Sequence, residues 1–358
     1  MNKTTMESSK QIPQQVASSP LKKLLFSMAA LLIIALFSEC FFACLVHQKS
    51  QQTLGGFVEQ DTELLWKLKP MKQPPLQTNS LGFRDGPYKA KADVKILLLG
   101  DSVSWGDGIW KTKQVYPQIL EQKLANALKP KAVEVINTGV PGYSTLQQLK
   151  YLRSKGMALK PDLIVLQFCF NDITEAPIAM KAYKRPKSRS SGTFQKTLRT
   201  LYNRLLQHSY TFAAIIKWRQ KNLRQKRAQQ IEHLAKNPKD RRFVEGWRTT
   251  FEALRKMQLL AHKHSVPIML FIPPYRFQLK NADYPKLQKQ LHAFLKRQQL
   301  DYVDTLSALS KLQKKHSQSL YRDANHFSIL GHRKVAELLL KPIQKKLQQQ
   351  KKRKRISK

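Results

Sequence analysis

Four short, almost uninterrupted apolar runs constrain this chain more than any other feature. Val94–Gly100 (VKILLLG), Val133–Asn137 (VEVIN), Asp162–Phe168 (DLIVLQF) and Pro267–Ile272 (PIMLFI) each have strand length, and Asp301–Thr305 is a weaker fifth. Helical spacing fills the gaps over Val115–Leu128, Thr145–Lys155 and Thr249–His264, with a last helix at Leu330–Leu347. A strand that is apolar on both faces needs cover on both faces. The alternation therefore predicts a parallel sheet between two helical layers, a doubly wound α/β domain.

A different signal stands near the N-terminus. Leu24–Val46 reads LLFSMAALLIIALFSECFFACLV, 23 residues with one ionisable group, Glu39. As a helix it is about 34 Å long, enough to cross the hydrocarbon of a bilayer. A cleavable signal peptide has a shorter apolar region and a small-x-small site, and neither is evident. Phe41-Phe42-Ala43-Cys44 has a faint likeness to a lipoprotein box but lacks the aliphatic residue three positions before the cysteine. The expectation is a single-pass signal anchor at 24–46, after a cytoplasmic segment 1–23 whose Lys3, Lys10, Lys22 and Lys23 stay inside. The body then lies outside the cytoplasm, in the periplasm of a Gram-negative cell, since long domains translocate largely regardless of charge. Glu39 falls near the outer end of the span. Reaching for the interface is its expected behaviour, and pairing with a partner helix is the alternative. Cys40 and Cys44 lie in this segment and Cys169 in an apolar run, so a disulfide scaffold is excluded.

Charge has to be read by position. The 358 residues carry 64 Lys and Arg against 23 Asp and Glu, a net +41 that nominates nucleic acid or an anionic surface as partner. Lys181–Arg242 holds 18 basic and 2 acidic residues, and the last eight, KKRKRISK, add six more positive charges. Val94–Met180 has 10 against 7 and is nearly neutral. The implied organisation is a connector at 47–92, the α/β domain at 93–345 with a basic insertion at 181–247, and a basic tail at 346–358. Within the insertion YKRPKSRSSG reads as loop, while Leu198, Leu201, Leu205 and Leu206 line one face of a helix. No nucleic-acid module is recognisable and the expected compartment argues against one. An anionic envelope surface is the partner that fits the insertion and the tail, unless the charge is only a compositional habit of the source.

In open α/β sheets ligands bind beyond the carboxyl ends of the strands. Gly100, Asp101 and Ser102 follow the first run, Asn137 to Gly142 the second, and Asn171 and Asp172 the third. Tyr275 and Arg276 follow the fourth, where position alone makes them candidates to line a pocket. Asp323 and His326 precede the terminal helix. A hydroxyl, an imidazole and a carboxylate on one rim fit nucleophilic acyl transfer. His326 can take the proton of Ser102, and Asp323, three residues earlier in a tight turn, can orient the other ring nitrogen. The amides of Ser102 and Gly139 and the side chain of Asn171 could bind the oxyanion. Asp101 and Asp172 read as braces of their turns, and His332 as packing or surface. His262 and His264, two apart on a predicted helix, face different ways and make no zinc pair. There is no glycine-rich phosphate cradle, so neither metal nor cofactor is called for.

In order and spacing, GDSVSWG, the NTGVPG turn, Asn171-Asp172 and Asp323-x-x-His326 resemble the four blocks of the SGNH (GDSL) hydrolases. NSLGFRDG, before the first strand, is similar to a lead-in of membrane-anchored bacterial members. The resemblance implies a flavodoxin-like three-layer fold with sheet order 2-1-3-4-5. It implies Ser102 as nucleophile, His326 as base and Asp323 as its partner, with Ser102, Gly139 and Asn171 forming the oxyanion hole. It implies an esterase acting on an acyl ester, with an acetylated glycan as one such substrate. An O-acyltransferase using the same triad, and a non-catalytic relative tethered to an anionic surface, are the competing readings. One departure is Cys169, which occupies the glycine position of the family's usual Gly-x-Asn-Asp block; it reads as a buried structural cysteine.

Overall fold

The computed structural model describes residues 20–46, 58–71, 77–184, 193–237, 239–280 and 285–356. In chain order, α1 (Pro20–Val46) precedes a hairpin of β1 (Val58–Asp61) and β2 (Leu65–Leu68). Then come β3 (Val94–Leu99), α2 (Ser102–Trp105), α3 (Tyr116–Ala127), β4 (Val133–Asn137), α4 (Thr145–Tyr151), β5 (Leu163–Gln167) and α5 (Asp172–Lys184). Three further helices follow, α6 (Thr193–His208), α7 (Tyr210–Lys236) and α8 (Arg241–Lys263). The chain closes with β6 (Ile268–Ile272), α9 (Pro285–Arg297), β7 (Asp301–Asp304), α10 (Leu306–Lys315) and α11 (Ile329–Ile356). The described residues fall into two compact units, within 1–53 plus 191–219 and within 54–190 plus 220–358.

The larger unit is built on a five-stranded parallel sheet of order β4-β3-β5-β6-β7, which is the expected 2-1-3-4-5. In register, Leu97 of β3 lies between Ile136 of β4 and Ile164 of β5. Every residue of β4, β5 and β6 is buried, as continuous apolar runs require of strands covered on both faces. Helices α3 and α11 pack together, as do α4, α5 and α8, giving the two helical layers. The sheet order reverses between β3 and β5, so residues leaving those two strands open onto one crevice.

Helix boundaries differ from the sequence expectation where the apolar stripe runs on. α8 begins at Arg241 rather than at Thr249, because Asp240 caps it by accepting from Arg242 N–H (2.9 Å) and Phe243, Gly246 and Trp247 extend the buried face. α4 stops at Tyr151 and widens into a π-helical turn over Leu152–Gly156. α11 continues to Ile356, so most of the expected tail 346–358 is helical, with Ile343 and Leu347 buried beneath it. The YKRPKSRSSG loop begins inside α5, which carries Pro177, and its residues 185–192 lie outside the described ones. α9 and α10 were not foreseen. The hairpin β1–β2, in the segment read as connector, grips the loop after β4: Trp66 Nε1 donates to Pro141 O (3.2 Å) and Tyr143 Oη to Trp66 O (2.5 Å).

The smaller unit contains α1, α6 and the first turns of α7. Leu24–Ala43 of α1 is exposed and is long and apolar enough to cross a membrane. Glu39 meets a partner helix here rather than reaching alone for an interface. Its carboxylate accepts from Ser209 Oγ and from the N–H groups of Tyr210 (2.8 Å) and Thr211 (3.4 Å).

Candidate active site

The turn after β3 is held from two sides. Asp101, fully buried, caps α2 by accepting from Val103 N–H (2.8 Å). Gln167, at the end of β5, accepts from Asp101 N–H (3.1 Å) and from Ser104 Oγ (2.9 Å), which leaves Tyr116 Oη to donate to Ser104 (2.6 Å). On the far side the buried guanidinium of Arg84 donates to the carbonyls of Trp105 (2.9 Å), Gly106 (2.8 Å), Ile109 and Trp110 (3.2 Å). These include carbonyls at the end of the short helix α2. Its neighbour Asp85 accepts from Asn137 N–H (3.1 Å), fixing the end of β4. The FRD of the lead-in thus braces two of the loops around Ser102.

Ser102, Asp323 and His326, remote in sequence, are brought into one hydrogen-bonded line. His326 Nε2 lies 2.8 Å from Ser102 Oγ, and Nδ1 lies 2.8 Å from Asp323 Oδ2 and 3.0 Å from Oδ1. Asp323 Oδ1 also accepts the N–H groups of Asn325 (3.1 Å) and His326 (2.9 Å), which makes the Asp-x-x-His turn rigid. Burial works against ionised Asp323, but the imidazole and these N–H groups outweigh it and hold the carboxyl well below the usual carboxylate range. Burial also pulls His326 down. The hydrogen bond to Asp323 and the charges of Asp107 and Asp323 overcome it and leave the imidazole above the ordinary histidine value, while Arg224 presses the other way.

The expected oxyanion donors fare differently. Gly139 is not among the residues lining the crevice: its N–H is taken by Asn137 Oδ1 (3.1 Å), and a Cβ on it would stand 2.7 Å from Ser104 Cβ and Trp105 N. It is a glycine because α2 passes too close for a side chain. Gly142, in the left-handed region at φ +80°, is the glycine of this loop that lines the crevice. Asn171 is present there, but its Nδ2 donates to Glu175 Oε2 (3.0 Å) and Asp101 Oδ2 (3.3 Å). Glu175 in turn accepts from Arg227 Nη1 (3.2 Å). Burial raises Glu175 to about 7; Arg227 opposes that rise and Asp101 adds to it. Asp172 braces its loop as expected, accepting from Thr145 Oγ1 (2.6 Å), and burial pushes its carboxyl far up. Cys169 is buried 3.9 Å from Tyr275 Oη, with its thiol raised chiefly by burial.

The crevice encloses about 230 Å³, with Ser102, His326, Asn171 and Gly142 on its walls. Tyr275 lines it, whereas Arg276 is exposed and is not among the lining residues. Sequence reasoning missed Asp107, Glu175, Arg224 and Arg227. Asp107 Oδ2 is 3.8 Å from His326 Nε2 and 2.7 Å from Arg224 Nη2, and Arg224 Nη1 is 3.9 Å from Asp323. The two arginines come from α7, where they are two among seven Lys and Arg and carry no local signal. His332 is buried with Nδ1 accepting from Tyr116 N–H (3.1 Å), and burial pushes it down to about 3, a neutral packing residue. Among the described residues no three His, Cys, Asp or Glu side chains cluster as metal ligands.

A parallel 2-1-3-4-5 sheet thus carries a serine, a histidine and an aspartate joined by hydrogen bonds at its carboxyl end. Residues 98–334, well over half of the chain, match the GDSL-like lipase/acylhydrolase family, and the protein belongs to that family of ester-hydrolysing enzymes. Similar solved structures include an acetylxylan esterase from Geobacillus stearothermophilus, 17% identical, covering 71% of this chain and 95% of its own with a TM-score of 0.42. A lipase/acylhydrolase from Enterococcus faecalis is 19% identical, covering 70% of this chain and 95% of its own with a TM-score of 0.40. No curated protein matches the sequence.

Proposed function

We propose that the chain is a membrane-anchored, envelope-facing serine esterase that cleaves a small acyl group, such as acetyl, from an ester. The observation that carries this reading is the imidazole of His326, 2.8 Å from Ser102 Oγ on one side and 2.8 Å from Asp323 on the other. Ser102 Oγ attacks the ester carbonyl carbon while His326 Nε2 takes its proton; Asp323 fixes the tautomer and stabilises the imidazolium. The tetrahedral oxyanion is met by the N–H groups of Ser102 and Gly142, and by Asn171 Nδ2 once it is released from Glu175. His326 returns the proton to the departing alcohol. Water then attacks the acyl group on Ser102 with His326 as base, and a carboxylic acid leaves.

A crevice of about 230 Å³ favours a short acyl group; drug-sized ligands occupy roughly 300–1,000 Å³. An acylated glycan of the envelope is the substrate class that suits an anchored enzyme. Anchoring by 24–46, with the N-terminus inside, rests on the length of the apolar helix and on Lys3, Lys10, Lys22 and Lys23 before it. The full chain in detergent should take up a fluorophosphonate on Ser102, and Ser102→Ala should not. Equal labelling of both, or of neither in folded protein, would overturn the assignment.

A further inference from the structure

We infer that α6 and the first turns of α7 form a second membrane contact, lying in the headgroup boundary of an anionic bilayer with their apolar stripe facing the acyl chains. This rests on the anchored reading of α1 and adds a surface that reading does not contain.

Leu198, Leu201, Tyr202 and Leu205 follow one face of α6, and each is between 40% and 52% exposed. Ile215 and Trp218 continue the apolar surface onto α7 at 52% and 66%. Tyr202 and Phe212 pack edge to face across the corner at 5.5 Å, so the two stripes belong to one hairpin. Six large apolar side chains half in water on a single small unit need a partner.

Two observations make that partner a bilayer rather than protein. From 191 to 219 the chain has five Lys and Arg and no Asp or Glu, so the polar side of the hairpin matches anionic headgroups. The corner is also fixed at the right depth. Glu39 stands four residues before the end of the apolar span Leu24–Ala43, or about 6 Å of helix. There its carboxylate satisfies the first N–H groups of α7, and Ser38 Oγ accepts from Thr211 Oγ1 (3.2 Å). Interfacial helices bury their apolar face about 5–10 Å into this boundary. Trp218, the most exposed of the six, is of the residue type favoured at that level.

The test uses the full chain in phosphatidylcholine–phosphatidylglycerol vesicles, with or without bromine on the acyl chains near the glycerol. The emission of Trp218 is obtained by difference from Trp218→Phe, and anchoring is checked separately by resistance to alkaline carbonate extraction. We expect bromine to remove more than half of the Trp218 emission. Leu198→Glu with Leu201→Glu should restore it while the protein stays in the carbonate pellet. Equal Trp218 emission in both kinds of vesicle, with wild type in the pellet, would overturn the contact and leave the anchor standing. In that case quenching by acrylamide would mean that water covers the face, and shielding from acrylamide that a second copy does. Extraction of wild type by carbonate would remove the anchor and this contact together.

Discussion

Asn171 Nδ2 lies 3.0 Å from Oε2 of Glu175, four residues further along the chain, and Arg227 closes on the other oxygen of the same carboxylate at 3.2 Å. The amide proposed to meet the oxyanion is therefore engaged by an acid at the edge of the crevice. Burial lifts Glu175 to about 7, with Arg227 pulling it down and Asp101 pushing it up; Asp107, His326 and Arg224 are the other titratable or charged groups on the crevice wall. Below that pH the carboxyl is neutral; above it, a negative charge competes for Asn171 and opposes the oxyanion. For p-nitrophenyl acetate, kcat/KM of wild type should decline as pH rises through about 7. Glu175→Gln should keep its plateau, with about a tenfold advantage on the alkaline side, the equivalent of one pKa unit of charge interaction. Identical alkaline limbs in the two proteins would remove Glu175 from the mechanism.

The acid limb belongs to His326. Its imidazole is active as a base only when neutral, so activity is lost as pH falls through a value raised above that of an ordinary histidine. Asp323→Asn removes the main support of that rise and leaves the ring free to adopt the wrong tautomer. It should cost about 10³–10⁴ in kcat and move the acid midpoint downward. Arg224→Gln should move the same midpoint upward, because the guanidinium, 3.9 Å from Asp323 and 2.7 Å from Asp107, presses the imidazole down. Opposite shifts in the two pH profiles are the signature; shifts of one sign would contradict the electrostatics described.

Arg84 offers a test of stability. Replacing it with Met keeps the bulk but removes the guanidinium from four carbonyls around the Ser102 turn, of which Gly106 O keeps the N–H of Ile109 (3.0 Å). Buried groups left without partners cost about 1–3 kcal/mol each before relaxation, so a loss of about 3 kcal/mol or more is expected. For a unit of this size that corresponds to a fall in Tm of about 6–12 °C. A thermal melt of the full chain in detergent measures it. An unchanged Tm would show that solvent replaces the guanidinium and that the turn is less closed than the hydrogen bonds indicate.

The sheet was legible because buried strands are written as uninterrupted apolar runs, and each of the five ends within a residue or two of its expected limit. Ser102, Asn171, Asp323 and His326 were legible because each follows a strand or precedes a helix with a recognisable block. What stayed hidden was long-range packing. Arg224 and Arg227 reach the crevice by the course of α7, which no local pattern records. Gly139 and Gly142 sit three residues apart in one turn, and their roles are set by how closely α2 passes one of them. α5 contains Pro177 as its sixth residue, beyond the first turn where proline is tolerated, so no local rule points to a helix running through it. Glu39 found its partners some 170 residues downstream, beyond the reach of any spacing argument.

The two glycines of that turn give the last prediction. At Gly139 an added Cβ falls 2.7 Å from Ser104 Cβ and Trp105 N, backbone and near-backbone atoms of the helix that begins with Ser102. Gly139→Ala should therefore displace α2, costing about 1–3 kcal/mol of stability and slowing fluorophosphonate labelling of Ser102. At Gly142 the nearest atom is Trp66 Cζ2 at 3.3 Å, a tight contact that the indole must relieve by a few tenths of an ångström, and the larger strain lies in φ +80°. Gly142→Ala should cost about 1–2 kcal/mol or less in stability. Because Gly142 lines the crevice and is the proposed oxyanion donor, the variant should lose about 10² in kcat toward a small ester. Tm and kcat measured together on both variants separate the roles. If Gly139→Ala instead lowered kcat with Tm unchanged, and Gly142→Ala left kcat intact, the oxyanion donor would be Gly139 after all.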